Sequence, residues 1–372
     1  MVAIALRGLT VRHRLRRGEV VTALDGIDLD LPSGQVTAVT GPAGCGKSTL
    51  LRVVAGLDAP TEGQVRFDDV DVTAQPTRVR DVALVTQDVT TFPHRTVRAQ
   101  IGEPLRYQHV DPAEVEDRVL AEARVLGIEA LLDRRPHGLS AGDRQRVALA
   151  RATVRRPRAF LLDEPFSAAD PPERLRLRGE LLALQRGLGV TTVHVTHDVA
   201  EAMAVGDRLA VLDSGRLVQV DAPQALYDRP ATTQVAVLLD EATRLLDAEV
   251  DDRTLHAGGV ALPLGSGQRR AVAGHRRVTL AVRPGALRAE DAAAGVALAG
   301  ELVGPPAAGP RREAEVRVDL GGGHTADLVA QLPAATRARP GDGLLLRLDV
   351  GACQLYDTEG RALHHGRGQA RP

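Results

Sequence analysis

The chain predicts an α/β fold followed by a smaller all-β domain, on three observations. Short apolar runs (Val36 to Thr40, Arg158 to Leu162, Val190 to Thr196, Arg208 to Leu212) alternate with stretches of helical spacing, as strands buried on both faces do. A glycine-rich turn joins the first of these runs to a helix. Beyond Pro230 the texture changes to short β-like runs broken by Gly and Pro, which fits a small barrel or a sandwich. A length of 372 residues agrees, since it implies about two domains.

In chain order, Val2 to Val11 and Thr22 to Leu31 alternate apolar and polar residues, with Gly18 and Asp25-Gly26 as breakers. They read as antiparallel strands forming a β-layer. Next comes Gly41-Pro42-Ala43-Gly44-Cys45-Gly46-Lys47-Ser48-Thr49, between a strand-like run and the helical run Leu50 to Ala55. This fits G-x-x-x-x-G-K-[ST], a loop whose backbone N–H groups turn toward one phosphate-sized centre at a helix N-terminus. Of the 47 Lys and Arg residues, Lys47 is the only lysine. Its charge is expected on the β- and γ-phosphates, and the Ser48 hydroxyl on Mg²⁺.

Pro60 to Gly63 turns into a strand Gln64 to Phe67, and Asp81 to Thr86 is a strand ending at Gln87. From Thr96 to about Arg135 the pattern is helical, with Val115, Val119, Ala123 and Leu126 on one face. Leu161-Leu162-Asp163-Glu164-Pro165 puts two acids at the carboxyl end of a buried strand, where ligands collect in open α/β sheets. Asp163 is expected to hold the Mg²⁺ that Ser48 touches, and Glu164 to polarise an attacking water. Further on, Thr232 to Leu246 reads as a helical connector. Strands are expected at Val260 to Leu264, Val278 to Val282, Ala314 to Leu320 and Gly343 to Val350, a loop at Gly304 to Gly309, and a disordered tail from His364 to Pro372.

A net charge of −1 with 26% charged residues argues against a nucleic-acid or anionic-membrane surface. The two cysteines, Cys45 and Cys353, make no disulfide framework or metal spacing, and only one is expected to be accessible. No apolar run reaches the length of a bilayer span, so the chain is expected in the cytosol unless a partner carries it to a membrane.

Five further pieces follow in order: Gln87 after its strand, Leu139-Ser140-Ala141-Gly142-Asp143 before Arg144 to Ala152, the acid pair, Ser167 to Asp170, and Thr196-His197-Asp198. In this series the chain resembles the ATP-binding cassette family from Val2 to about Thr233. The resemblance implies a phosphate-loop ATPase, with ATP and Mg²⁺ as cofactors and a helical insertion at about 96–150 within a domain 1–235. It implies a head-to-tail dimer, either of this chain or with a paired ATPase, with ATP between one subunit's loop and the other's Ser140 and Gly142. His197 would contact the γ-phosphate, Gln87 would sense it at the metal, and Asp170 would cross the interface. Departures from the family pattern are Ala141 and Asp143 in place of a glycine and a glutamine, and His13 where an aromatic stacks on adenine.

Asp221 to Pro230, Leu280 to Pro284 and Leu355 to Asp357 are similar to the importer branch, which implies an oligonucleotide-fold-like (TOBE-type) regulatory barrel over 236–363 and a tail from 364. Thr192 to Asp198 with Glu201-Ala202-Met203 is most similar to carbohydrate-importer ATPases; polyamine, iron, sulfate and molybdate importers share much of it. The partners implied are two integral-membrane permeases and, through them, an extracytoplasmic solute-binding protein. The location implied is peripheral, on the cytoplasmic face of the membrane. A soluble, non-transporting cassette regulator is the rival from another class, and retention of Lys47, Asp163, Glu164 and His197 argues against it. A permease cleft is expected where Gln87 to Val97 meets the insertion up to Tyr107, with Phe92 as apolar anchor.

Overall fold

The computed structural model describes residues 2–14, 18–86, 92–167, 170–289, 295–307, 312–334 and 336–366. The chain divides into two units, Met1–Pro223 and Gln224–Pro372.

In the first unit, β1 (Ile4–Arg14) and β2 (Val20–Leu31) pair antiparallel, their alternating residues facing core and solvent. After β3 (Val36–Thr40) and α1 (Lys47–Ala55) come β4 (Glu62–Phe67) and β5 (Val70–Asp71). These complete a four-stranded sheet in the order β2-β1-β4-β5. A single turn, α2 (Thr77–Arg80), leads to β6 (Val82–Val85), and the insertion follows as α3 (Val97–Tyr107), α4 (Pro112–Val125) and α5 (Ala141–Thr153). Asp111 caps α4 through the Ala113 amide with Pro112 at the first helical position, a standard start signal. Val115, Val119 and Ala123 are buried as their spacing predicts. The remainder alternates: β7 (Ala159–Asp163), α6 (Pro171–Leu188), β8 (Thr191–Val195), α7 (Val199–Val205), β9 (Arg208–Asp213), β10 (Arg216–Asp221).

The result is a six-stranded sheet, β10-β9-β3-β8-β7-β6, parallel except at β10. One face packs Val39, Val193 and Val195 on Leu50, Val53 and Val54 of α1. On the other, Leu162 and Phe166 join Leu149, Leu177 and Leu181. The carboxyl ends of β3, β7 and β8 therefore open side by side.

One brace was not legible from spacing. Arg80, 1% exposed, donates to the carbonyls of Val53 and Val54 at the end of α1 and of Thr73 and Gln75. A guanidinium taken out of water needs such partners, and burial pulls its pKa below the ordinary range. It satisfies carbonyls that the helix end leaves open.

The division falls at the first residue of α8 (Pro223–Asp228), and the second unit continues with α9 (Thr233–Leu239), β11 (Arg244–Asp251), β12 (Thr254–Ala257), β13 (Val260–Pro263) and α10 (Ser266–Ala271). Then come β14 (Arg277–Val282), β15 (Leu287–Arg288), β16 (Val296–Leu302), β17 (Arg312–Asp319), β18 (Thr325–Leu332), β19 (Gly343–Leu348), β20 (Gln354–Tyr356) and β21 (Ala362–His364). Strands β15-β18-β17-β16-β19 close a barrel, consistent with the expected oligonucleotide-fold-like domain; β13-β12-β11-β14-β20-β21 form a sheet. One core serves both, from Leu246 and Leu280 to Val316 and Leu346.

Three expectations need correcting here. The connector is helical only to Leu239, because Arg244 to Leu246 pair with Leu280 to Val282 and extend the sheet. His364 is not tail: it pairs with Leu355 in β21, while 367–372 lie outside the described residues. Both cysteines are buried, and burial lifts the Cys353 thiol to about 12. The segment from Tyr227 to Ala236 packs within the second unit. Arg283 stacks 3.9 Å from the Tyr227 ring centre, the Thr233 amide donates to Gly360, and Ala236 meets Ala281 and Tyr356.

Candidate functional site

The loop between β3 and α1 is wedged between β9 and β2, and its glycines are needed for that. A Cβ on Gly41 would lie 2.0 Å from the Leu212 carbonyl oxygen, and one on Gly46, at φ +105°, would lie 2.4 Å from that of Ala23. Gly41, Cys45 and Lys47 are buried, whereas Pro42, Ala43, Gly44 and Ser48 are exposed along the rim, with Thr49 half-buried. The Lys47 ammonium donates to the carbonyls of Gly41 (2.8 Å) and Pro42 (2.9 Å) and lies 3.7 Å from the Cys45 sulfur. Burial raises the Cys45 pKa against the opposing pull of Lys47, so the thiol packs as a small apolar group. No side chain caps α1 at Gly46 and no acid lies in its first turn. This start can therefore meet an anion with backbone N–H groups, partial charge and the one lysine together.

Beside it, the Ser48 hydroxyl donates to Asp163 at 3.2 Å. Burial raises the Asp163 pKa, the Ser48 hydrogen bond opposes this, and the neighbouring Glu164 charge adds to it. A hydroxyl and a carboxylate converging at a phosphate-sized cradle make an oxygen donor set suited to Mg²⁺ that keeps phosphate oxygens and water as its other ligands. Among the described residues no group of three or more His, Cys, Asp or Glu is placed to hold a metal ion.

Glu164 has φ +47°, unusual for a residue with a side chain and worth about 1 kcal/mol or more of strain. Its amide donates to Val195 O (2.9 Å), and its own carbonyl accepts from Ser167 N and Oγ. These bonds hold the bend and set the carboxylate 3.1 Å from Nδ1 of His197, whose side chain is 62% exposed. The ends of β3, β7 and β8 thus bring Lys47, Ser48, Asp163, Glu164 and His197 together.

The other expected residues sit elsewhere. Ser140 caps α5 by accepting the Asp143 amide at 3.1 Å, with Ala141 and Gly142 in its first turn. The Asp143 carboxylate pairs with Arg146 (3.1 Å), which also pairs with Glu180 (2.9 Å). Asp170 precedes α6, its carbonyl accepting from the Arg174 amide. His13 is exposed on β1, opposite Val21. Gln87 lies outside the described residues.

A cavity of about 750 Å³ occurs where a permease cleft was expected, lined by Phe92, Arg95, Glu103, Tyr107, Arg151 and Arg155. Phe92 is 39% exposed, with the guanidinium groups of Arg95 and Arg151 over its ring at 5.4 and 5.8 Å. Sequence reasoning missed the pair formed by His194 and Glu201, buried beneath the His197 turn. His194 sits inside a fully buried five-residue strand and Glu201 in a different element, so no local pattern announces their contact.

Residues 24–167 match the family described as ABC transporter. Over 348 residues the chain is 39% identical to the diacetylchitobiose uptake system ATP-binding protein MsiK of Streptomyces coelicolor, covering 89% of this chain and 91% of that one. It is 39% identical to the sn-glycerol-3-phosphate import ATP-binding protein UgpC of Chromohalobacter salexigens, covering 97% and 95%. Among solved structures it resembles a dimeric ATP-binding cassette in a post-hydrolysis state bound to ADP and Pi, with a TM-score of 0.54 and 29% identity, over 59% of this chain and 98% of that one.

Proposed function

The chain belongs to the ATP-binding cassette transporter family, and from that premise we propose how it works: it is the ATP-hydrolysing subunit of an importer, with a carbohydrate as the transported solute. The observation that carries the chemistry is the meeting of Lys47, Ser48, Asp163, Glu164 and His197 at three adjacent strand ends. The loop and the start of α1 hold the β- and γ-phosphates, with Lys47 supplying full charge. Ser48 and Asp163 would hold Mg²⁺, which when bound neutralises phosphate charge. Glu164 accepts the proton of the attacking water, and His197, in reach of Glu164, contacts the γ-phosphate. Ser140, Gly142 and Asp170 are assigned to the dimer partner's ATP, His13 to the adenine edge, and Gln87 to sensing.

Hydrolysis does transport work only if dimer closure moves permeases, since no described helix is long and apolar enough to cross a membrane. The cavity at Phe92 is the proposed permease seat on the cytoplasmic face, the permeases receiving solute from an extracytoplasmic binding protein. Its exposed ring and surrounding arginines offer an apolar anchor with a basic rim. Phe92→Asp is expected to leave ATP binding within about twofold while abolishing co-purification with permeases and sugar uptake in cells. Normal uptake in that strain would sink the docking assignment. Growth tests of a deletion strain on oligosaccharides, pentoses and glycerol phosphate separate the solute classes.

A further inference from the structure

His194 on β8 is 1% exposed and Glu201 in the first turn of α7 is 5% exposed, with Nε2 of one 2.5 Å from Oε1 of the other. A buried ionisable pair adds little net stability over apolar packing, because desolvation offsets the attraction. What it adds is direction. The bond leaves the sheet at a residue paired with Leu162 on β7 and with Ala38 on β3, the strands that deliver Asp163 and the phosphate loop. It ends on α7, so it closes the stretch from 194 to 201 with His197 near the middle.

Inside that stretch the backbone is fastened again. The Asp198 carboxylate accepts the Glu201 amide at 3.0 Å, the Thr196 hydroxyl accepts the Asp198 amide at 3.1 Å, and the Thr196 amide donates to Val39 O. Arg174 reaches Asp198 at 3.5 Å, and the Phe166 ring, centred 5.9 Å from that of His194, covers the imidazole. The His197 ring itself projects into solvent with Glu164 beside it. Its position is therefore set by the turn that carries it, and that turn is tied to the sheet from below.

We infer that His194 and Glu201 are positioning residues for ATP hydrolysis: their bond ties the His197 turn to the sheet and aligns its imidazole with Glu164 and the terminal phosphate. The inference rests on the reading that His197 contacts that phosphate. Misplacement of a reacting group by about 1 Å can cost up to about a hundredfold, so loss of the tie is expected to appear in kcat.

The test is steady-state and single-turnover ATP hydrolysis by the purified full-length chain. Glu201→Ala is expected to lower kcat about tenfold with KM for ATP changed less than about threefold, and Glu201→Gln, which keeps an acceptor oxygen, to restore kcat to within about threefold. His194→Ala should match Glu201→Ala. In a His197→Ala background, Glu201→Ala should cost less than about twofold more, because its route to the chemistry is already gone. A further tenfold loss in that background, a rise in KM that accounts for the whole effect, or wild-type kcat in Glu201→Ala would each overturn the proposal. Wild-type hydrolysis by His197→Ala alone would remove the reading of His197 itself, a separate result. If Glu201→Ala does not fold, Glu201→Asp, shorter by one methylene, carries the same cycle.

Discussion

Two helices of the first unit start beside a glycine and a serine, and their starts differ. At α1, Gly46 takes a left-handed backbone, no side chain caps the turn, and no acid lies in it. At α5, Ser140 caps the turn, Asp143 lies within it, and Arg146 holds the Asp143 carboxylate. A helix start carries about half a positive charge. In α5 the helix's own residues already answer that charge. In α1 it is left for a group from outside, with the only lysine of the chain folded beside it. One start is open to an anion from outside. The other is fastened by its own residues, and only the proposed dimer would bring it to one.

Lys47→Ala breaks this comparison most severely, because it removes the full charge from the open start. ATP hydrolysis is expected to fall by at least about a hundredfold, with weakened ATP binding in equilibrium dialysis. Glu164→Gln should hydrolyse as little, yet it should still bind ATP and accumulate as a dimer in size-exclusion chromatography, since it loses only the proton acceptor. Unchanged turnover in Glu164→Gln would remove Glu164 from the mechanism.

Gly46→Ala comes next, and it tests the shape of the open start. The new methyl would sit 2.4 Å from the Ala23 carbonyl oxygen at a backbone angle of +105°. Strain and overpacking together are expected to cost about 2–4 kcal/mol, read as a lower thermal midpoint, with weaker ATP binding because the loop must shift. A variant that melts with the wild type would mean that the loop is looser than its packing implies.

How much of this was legible beforehand depends on whether the signal is local. The open start is a contiguous run from Gly41 to Thr49, and the acid pair ends an apolar run, so spacing alone places both. The brace from Arg80 to the end of α1 and the tie from His194 to Glu201 join separate elements through side chains, and neither has a periodic trace. The connector departs from its helical spacing for a related reason. Val235, Ala236 and Leu239 keep helical spacing, but only pairing with β14 makes a strand of Arg244 to Leu246. For His13 and Asp143 the sequence offers only their order among the motifs, and here the structure adds the most. His13 stands exposed on β1, and Asp143 is occupied by Arg146.

The smallest effect is expected at the closed start, from Asp143→Gln. Two opposing consequences have to be weighed. Removing the carboxylate takes negative charge from the face assigned to the partner's γ-phosphate, which would favour ATP-driven dimerisation. It also takes an acid from the first turn of α5 and a partner from Arg146, which would loosen the helix. The geometry limits both. Arg146 already balances the Asp143 charge at 3.1 Å, and Glu180 remains to hold Arg146 at 2.9 Å. The Ser140 hydroxyl accepts from the backbone of residue 143, so the cap survives the substitution. Asp143→Gln is therefore expected to lower stability by only about 0.5–1 kcal/mol and to leave KM for ATP within about twofold. Thermal melting and steady-state hydrolysis on the same preparation separate the two consequences. A severalfold drop in KM with an unchanged midpoint would mean that the carboxylate faces the partner's nucleotide, and the closed start would then be closed against phosphate as well.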